Sequence, residues 1–203
     1  MVTTITGPMQ HVPDPALLFP HVRILVGMII GLGLTHLLRN FAGLMVHRAR
    51  RRVYWPHLVW TLFVFLYLLH FWWWEFRLSY TVTWDIEIYV FISIYALLLY
   101  LLCAFALPER TDDDADYRDH FYSRRHWFFG LLALVYAVDM ADTWLKGPAY
   151  FDALGPEYVI RNVSYIVLSL VAVVTTNPRF HGGFALAALA YQVVWIVRRY
   201  EIL

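Results

Sequence analysis

Eight polar side chains lie within long apolar stretches of this chain: His36, Arg39, His70, Asp139, Asp142, Arg161, Asn162 and Gln192. Placing a charge at the centre of a bilayer costs about 2.5–3.5 kcal/mol on insertion scales, so such groups are candidates for function by default. Carboxylates, an imidazole and a guanidinium at membrane depth suit one kind of chemistry above others. They can bind, exchange or pass protons and small cations. Asp139 carries the argument furthest, because it is too short to snorkel and must be protonated, paired with His70 or Arg161, or hydrated.

Depth follows from a helical rise of 1.5 Å per residue. On that basis Asp139 and His70 each lie about 9 Å below the outer surface and Asp142 about 5 Å below it. Arg161 falls at the level of Asp142 with Asn162 beside it, and Gln192 lies a little deeper. These residues are expected to line a cavity open to the outside, with Asp139 as the protonatable group, His70 its hydrogen-bond partner, and Arg161 with Asp142 as a gate or selectivity pair. Plainer roles compete: Asp142 can pair with Lys146 at i,i+4 near the interface, and Arg161 can snorkel outward. In the other half of the membrane His36 sits near the middle and Arg39 about 10 Å from the cytoplasmic end, with no acid at that level. Arg39 there would reach phosphates or contact an anion or lipid headgroup. Tyr95, Tyr100, Tyr136 and Tyr165 read as helix glue.

Other chemistry finds little support. There is no glycine-rich phosphate loop, no His-Glu-x-x-His pair and no Gly-x-Ser-x-Gly elbow, so enzymatic activity is not expected. A single cysteine, Cys103, excludes a disulfide framework and a zinc-thiolate site. His36 and His70 differ by roughly 9 Å in depth, which argues against paired haem ligation. The run Asp112-Asp113-Asp114 lacks the spaced ligands and turn glycine of a calcium loop, and no potassium-filter motif is present. No cofactor and no metal are therefore expected. A net charge of +1 leaves no basic face for nucleic acid. The sequon Asn162-Val163-Ser164 falls inside an apolar stretch and should be silent.

The elements that must position these groups are legible in the composition. Of 203 residues 61% are hydrophobic and 15% charged, against about 25% charged in a soluble domain. The chain reads as an all-α polytopic membrane bundle, multi-pass in the cell membrane, with the lipid bilayer as its first partner. A span needs about 20 apolar residues. Six are expected, at 24–46, 54–76, 84–107, 127–145, 158–176 and 182–197, within a single domain from 21 to 203. Residues 1–20 hold one acid and no Lys or Arg, and read as a retained tail without a secretory signal. The stretch 108–126 reads as an acidic cytoplasmic loop. Nine arginines fall on the side of loops one, three and five, and six basic residues on the other. Basic loops stay cytoplasmic, so both termini are expected outside.

Three spans plus three make two halves of opposite orientation. A shift of 103 residues sets Gly27 on Gly130, His36 on Asp139 and Arg39 on Asp142, a weak similarity. Ten of the 22 residues from 55 to 76 are aromatic, and Trp72, Trp73 and Trp74 read as an interfacial collar. Gly27, Gly31 and Gly33 suit close helix packing. The resulting expectation is a small channel or transporter for protons, cations or a small polar solute. Its competitor is a non-transporting accessory or assembly subunit of a larger membrane complex, and a homo-oligomer is compatible with either.

Overall fold

A computed structural model describes residues 15–46, 54–75, 86–107 and 117–200. Six helices account for them: α1 (Pro15–Val46), α2 (Trp55–Trp74), α3 (Ile86–Ala106), α4 (Tyr117–Leu145), α5 (Pro148–Val174) and α6 (Pro178–Tyr200). All six are long and apolar enough to cross a membrane. The chain is an integral membrane protein of the all-α class, a six-helix bundle with no strand among the described residues.

The helices outrun the expected spans for one physical reason. Hydropathy detects the part of a helix that suits hydrocarbon, whereas charged and aromatic residues continue a helix into water at small cost. Thus α4 starts at Tyr117 and not Trp127, so the second half of the expected loop 108–126 is helical. Likewise α1 starts at Pro15, inside the expected tail, and α5 opens at Pro148 with a short helical segment over 148–154; across a break at Gly155 its spanning part resumes at Pro156, close to the expected Tyr158. Helix α6 starts at Pro178 and not Gly182; Asn177 Oδ1 accepts the Arg179 backbone N–H at 3.0 Å, with proline in the first turn, a common helix start. Arg48, Arg50, Arg51, Arg52, Arg77, Arg110 and the Asp112-Asp113-Asp114 run lie outside the described residues.

Helix α2 sits centrally, touching α1, α3, α4 and α6. The most extensive pairings are α4 with α5, α1 with α3, and α2 with α6. The two halves run in opposite directions, and their internal pairings differ: α1 lies chiefly on α3, whereas α4 lies chiefly on α5. The glycine seam of α1 packs within the chain. A Cβ on Gly27 would come 2.8 Å from the Trp72 ring, and one on Gly33 would come 3.0 Å from Leu68 and 3.2 Å from Cys103 Sγ. Gly31 faces open space, so Gly27 and Gly33 carry the close approach.

Pro15 and Tyr200, the first and last described residues, lie at one end of the bundle, since six successive spans return to the starting side. Trp73 and Trp144 are exposed at that end, Trp55 and Trp127 at the other, as interfacial tryptophans should be. The expected three-tryptophan collar is only partly formed, because successive residues rotate about 100° around a helix. Trp72 packs on α1 beneath Arg23, Trp73 faces outward, and Trp74 turns inward. The middle of the bundle is filled by aromatic rings. Trp60 meets Phe184 at 4.9 Å and Phe129 at 5.3 Å between centroids, and Tyr136 stacks on Tyr165 at 4.3 Å.

Candidate functional site

Above that aromatic layer, at the end where α1 begins and α6 ends, α2, α3, α4, α5 and α6 surround a cavity of about 30 Å3. By the usual requirement of about 10–15 Å3 per water it has room for two. Helical spacing brings the polar groups together: Asp139 and Asp142 share a face of α4 at i,i+3, Tyr158, Arg161 and Asn162 share a face of α5, and Gln192 and Trp195 share a face of α6. Helix α2 adds Tyr67, His70, Trp74 and Glu75.

Two charge clusters border the cavity. In the first, the Asp139 carboxylate accepts four side-chain donors. Tyr95 Oη donates to Oδ1 at 3.1 Å. Oδ2 accepts from Tyr158 Oη at 2.8 Å, Asn162 Nδ2 at 2.8 Å and Arg161 Nη2 at 3.1 Å. Three of the four donors converge on Oδ2, so Asp139 is held chiefly through that oxygen. Arg161 is buried, donates from Nε to Asn162 Oδ1 at 2.9 Å, and has its guanidinium 4.3 Å from the Trp195 ring centroid. It points into the bundle and does not snorkel. Tyr67 and Tyr95 join their hydroxyls at 3.0 Å, extending the network to α2 and α3.

In the second cluster, Lys146 Nζ donates to Asp142 Oδ2 at 2.5 Å and to Glu75 Oε1 at 2.9 Å. The expected surface pair is therefore a buried triad: Asp142 is 3% exposed, Lys146 4% and Glu75 7%. Burial, with Asp142 beside it, pushes the carboxyl of Glu75, one residue beyond α2, up to about 8. Burial works against the Lys146 ammonium, but Asp142 and Glu75 outweigh it and hold its pKa above the ordinary lysine value.

Several buried polar atoms here have no partner. They are Glu75 Oε2, Asp142 Oδ1, and both amide atoms of Gln192, a residue 1% exposed on the cavity wall. Orphaned buried groups are rare and costly, and an amide with both ends free faces space that a small polar guest can fill. Charge makes the same point. Glu75, Asp139 and Asp142 place three carboxylates against two cations, Lys146 and Arg161. With all five ionised, the site carries one excess negative charge in a medium that penalises it. A proton or a single positive charge would balance it. Among the described residues no three His, Cys, Asp or Glu side chains are grouped so as to hold a metal ion.

A short helical segment covers the site. Residues 148–154 run between Gly147 (φ 105°, ψ 155°) and Gly155 (φ 71°, ψ 178°), the two positive-φ residues among those described. Both lie in a region open essentially to glycine alone, and a side chain there would cost about 1–3 kcal/mol. Tyr150 accepts the Trp74 indole N–H, Phe151 packs edge-on to Tyr158, and Arg199 Nη2 donates to the Leu154 carbonyl at 2.7 Å.

Of the residues singled out in the sequence, His70, Asp139, Asp142, Arg161 and Gln192 line one cavity, and Asn162 joins them through Asp139. The expected Asp139–His70 hydrogen bond is not formed: His70 stacks on Trp74 at 5.2 Å, and the oxygens of Asp139 are taken by other donors. His36 and Arg39 belong elsewhere. Asn40 Nδ2 donates to the Leu107 carbonyl at 3.2 Å and to His36 Nε2 at 2.9 Å, so Asn40 caps the carbonyl just past the end of α3 and holds the His36 ring. Arg39 lies on the exposed face of α1. Glu75 is a site residue not expected from the sequence, and Lys146, expected near the interface, is buried with it. The signal that would have found them is that Glu75 and Lys146 end facing spans on the same side of the membrane.

Comparison with protein-family models, curated proteins and solved structures finds no match to this chain.

Proposed function

We propose that the protein is a small proton-handling transporter, taking up a proton or a proton-balanced small polar solute from the side of its termini. The observation that carries this reading is the cavity in which three carboxylates face two cations while Gln192, Glu75 and Asp142 keep unpartnered polar atoms. Asp139 is the group that orders Arg161 and Asn162. Glu75, sharing Lys146 with Asp142, is the group that gains and loses the proton. This assignment gives the proton-exchanging role to Glu75, which has an unpartnered oxygen, and leaves Asp139, engaged by four donors, as the organiser of Arg161 and Asn162.

The aromatic layer of Trp60, Phe129 and Phe184 seals the cavity from the far side. A sealed floor suits a carrier that alternates between states better than an open pore. The same seal is compatible with an accessory subunit that moves nothing, which is the second reading. Proteoliposomes loaded with a pH-sensitive dye and energised by a potassium diffusion potential separate the two. Proton uptake by the wild type, lost in Glu75→Gln, is the expected result. Uptake indistinguishable from empty vesicles under every imposed potential and pH gradient removes the transport reading.

The arginine bias supports an orientation with both termini, and hence the cavity, outside the cytoplasm. Single cysteines introduced at Asp114 and Ala153 in a Cys103→Ala background test it. A membrane-impermeant thiol reagent on intact cells should label the Ala153 position and spare the Asp114 position, and the reverse pattern turns the cavity to the cytoplasm.

A further inference from the structure

At the end of the bundle opposite the polar cavity, a second cleft opens between the start of α2, the end of α3 and the first turns of α4. Its walls carry His57 and Trp60 from α2, and His120, Arg124 and Arg125 from α4, with no carboxylate among the described lining residues. His57 donates from Nε2 to the Ala106 carbonyl, and its ring lies parallel to that of His120, 6.3 Å between centroids and 15° between planes. This stack fixes one wall. Arg125 is anchored by an Nη1 hydrogen bond of 2.6 Å to the Tyr122 carbonyl, while Arg124 is exposed.

Two buried N–H donors on these walls have no acceptor, Trp60 Nε1 and Arg125 Nε. Trp60 is 1% exposed, and a buried indole N–H normally finds a partner. The cleft volume is about 10 Å3, room for one oxygen-sized group. An anion would therefore insert a single oxygen between the deep donors and keep its body at the mouth, beside Arg124 and His120. Several N–H donors and cationic charge, with no acid among the described lining residues, suit a phosphate group. The cleft also lies at headgroup height, since Trp55 and Trp127, exposed on the same two helices, mark that interface. Basic pockets between membrane helices are a recurrent form of headgroup site.

We propose that this cleft binds the phosphate of an anionic phospholipid, through Trp60 and Arg125 at its base and Arg124 at its mouth. The inference is independent of whether the opposite cavity moves protons. The full chain, purified in a neutral detergent, can be titrated with phosphatidylglycerol, with phosphatidylcholine of the same acyl chains and with inorganic phosphate, bound species being counted by native mass spectrometry. Phosphatidylglycerol should be retained in preference to phosphatidylcholine. Arg124→Gln should weaken its retention about fivefold, the effect of one surface arginine, and Trp60→Phe should weaken it further by deleting one N–H. Arg179→Gln, which removes a charge at the same end but outside the cleft, should leave it unchanged. Should Trp60→Phe fail to fold, Arg124→Gln against Arg179→Gln decides alone. Equal retention of the two lipids, or equal losses in the two arginine variants, overturns the proposal. Displacement of phosphatidylglycerol by millimolar inorganic phosphate assigns the cleft to a soluble ion and overturns the lipid source.

Discussion

Lys146→Met is expected to be among the most damaging single substitutions in the chain. Its ammonium sits between Asp142 Oδ2 and Glu75 Oε1 at 2.5 and 2.9 Å, in surroundings where all three side chains are buried. Removing it leaves two carboxylates facing each other without a cation, and breaking a buried ion pair from one side typically costs about 3–5 kcal/mol. An exposed i,i+4 pair, which is how Asp142 and Lys146 look in the sequence, would cost about 0.3–0.5 kcal/mol. The two cases differ roughly tenfold, so thermal unfolding in detergent, followed by tryptophan fluorescence, separates them readily. Acid should soften the loss, because Glu75 is already pushed up to about 8 with Lys146 present and the lysine's removal takes away what lowers it, so the variant takes the proton from above that value downward, removing one of the two opposed charges. Adding Glu75→Gln and Asp142→Asn to Lys146→Met should recover much of the stability, since a neutral cluster has no uncompensated charge to bury. A triple variant as unstable as Lys146→Met alone would mean that shape, and not charge, is what the lysine supplies.

The sequence made the fold legible because apolar length is almost the whole specification of a membrane bundle: backbone groups must be satisfied within each span, so a run of about 20 apolar residues is a helix. Helix ends were less legible. The turns before Trp127 and Tyr158 are polar or broken by Gly155-Pro156, and hydropathy does not report a helix that continues beyond the hydrocarbon. Site membership was legible by depth, since Asp139, Asp142, Arg161 and Gln192 fall within about one helical turn of one another in depth and meet in one cavity. Partners within the site were not, because depth fixes height along the bundle and leaves rotation about each helix axis open. His70 has the right height and the wrong azimuth: its ring turns onto Trp74. Tyr158 and Asn162, one turn apart on α5, have both coordinates right and reach Asp139. In the other half of the membrane, His36 and Asn40 read as unmatched polar residues because their partners are backbone carbonyls at the end of α3, which no side-chain inventory contains.

Rotation also sets the outcome of a pair of double-substitution cycles about Asp139. Arg161→Leu is expected to destabilise the protein by about 3–5 kcal/mol, because it strands the Asp139 carboxylate among Tyr95, Tyr158 and Asn162 with no counter-charge. Asp139→Asn strands Arg161 in turn, held by Asn162 and the faces of Trp195, Tyr158 and Tyr136. Changing both removes the opposed charges together, so the double variant should lose less than the sum, with a coupling of about 0.5–3 kcal/mol, as found for residues in one network. The cycle built on Asp139→Asn and His70→Gln should show the smaller coupling, since the two side chains line one cavity but share no hydrogen bond or ion pair. Thermal unfolding of the six proteins under one detergent condition measures both couplings. Strong coupling to His70 with none to Arg161 would reverse the azimuths of α2 and α5 about the cavity. The charge count on which proton uptake rests would then have to be drawn with a different set of neighbours.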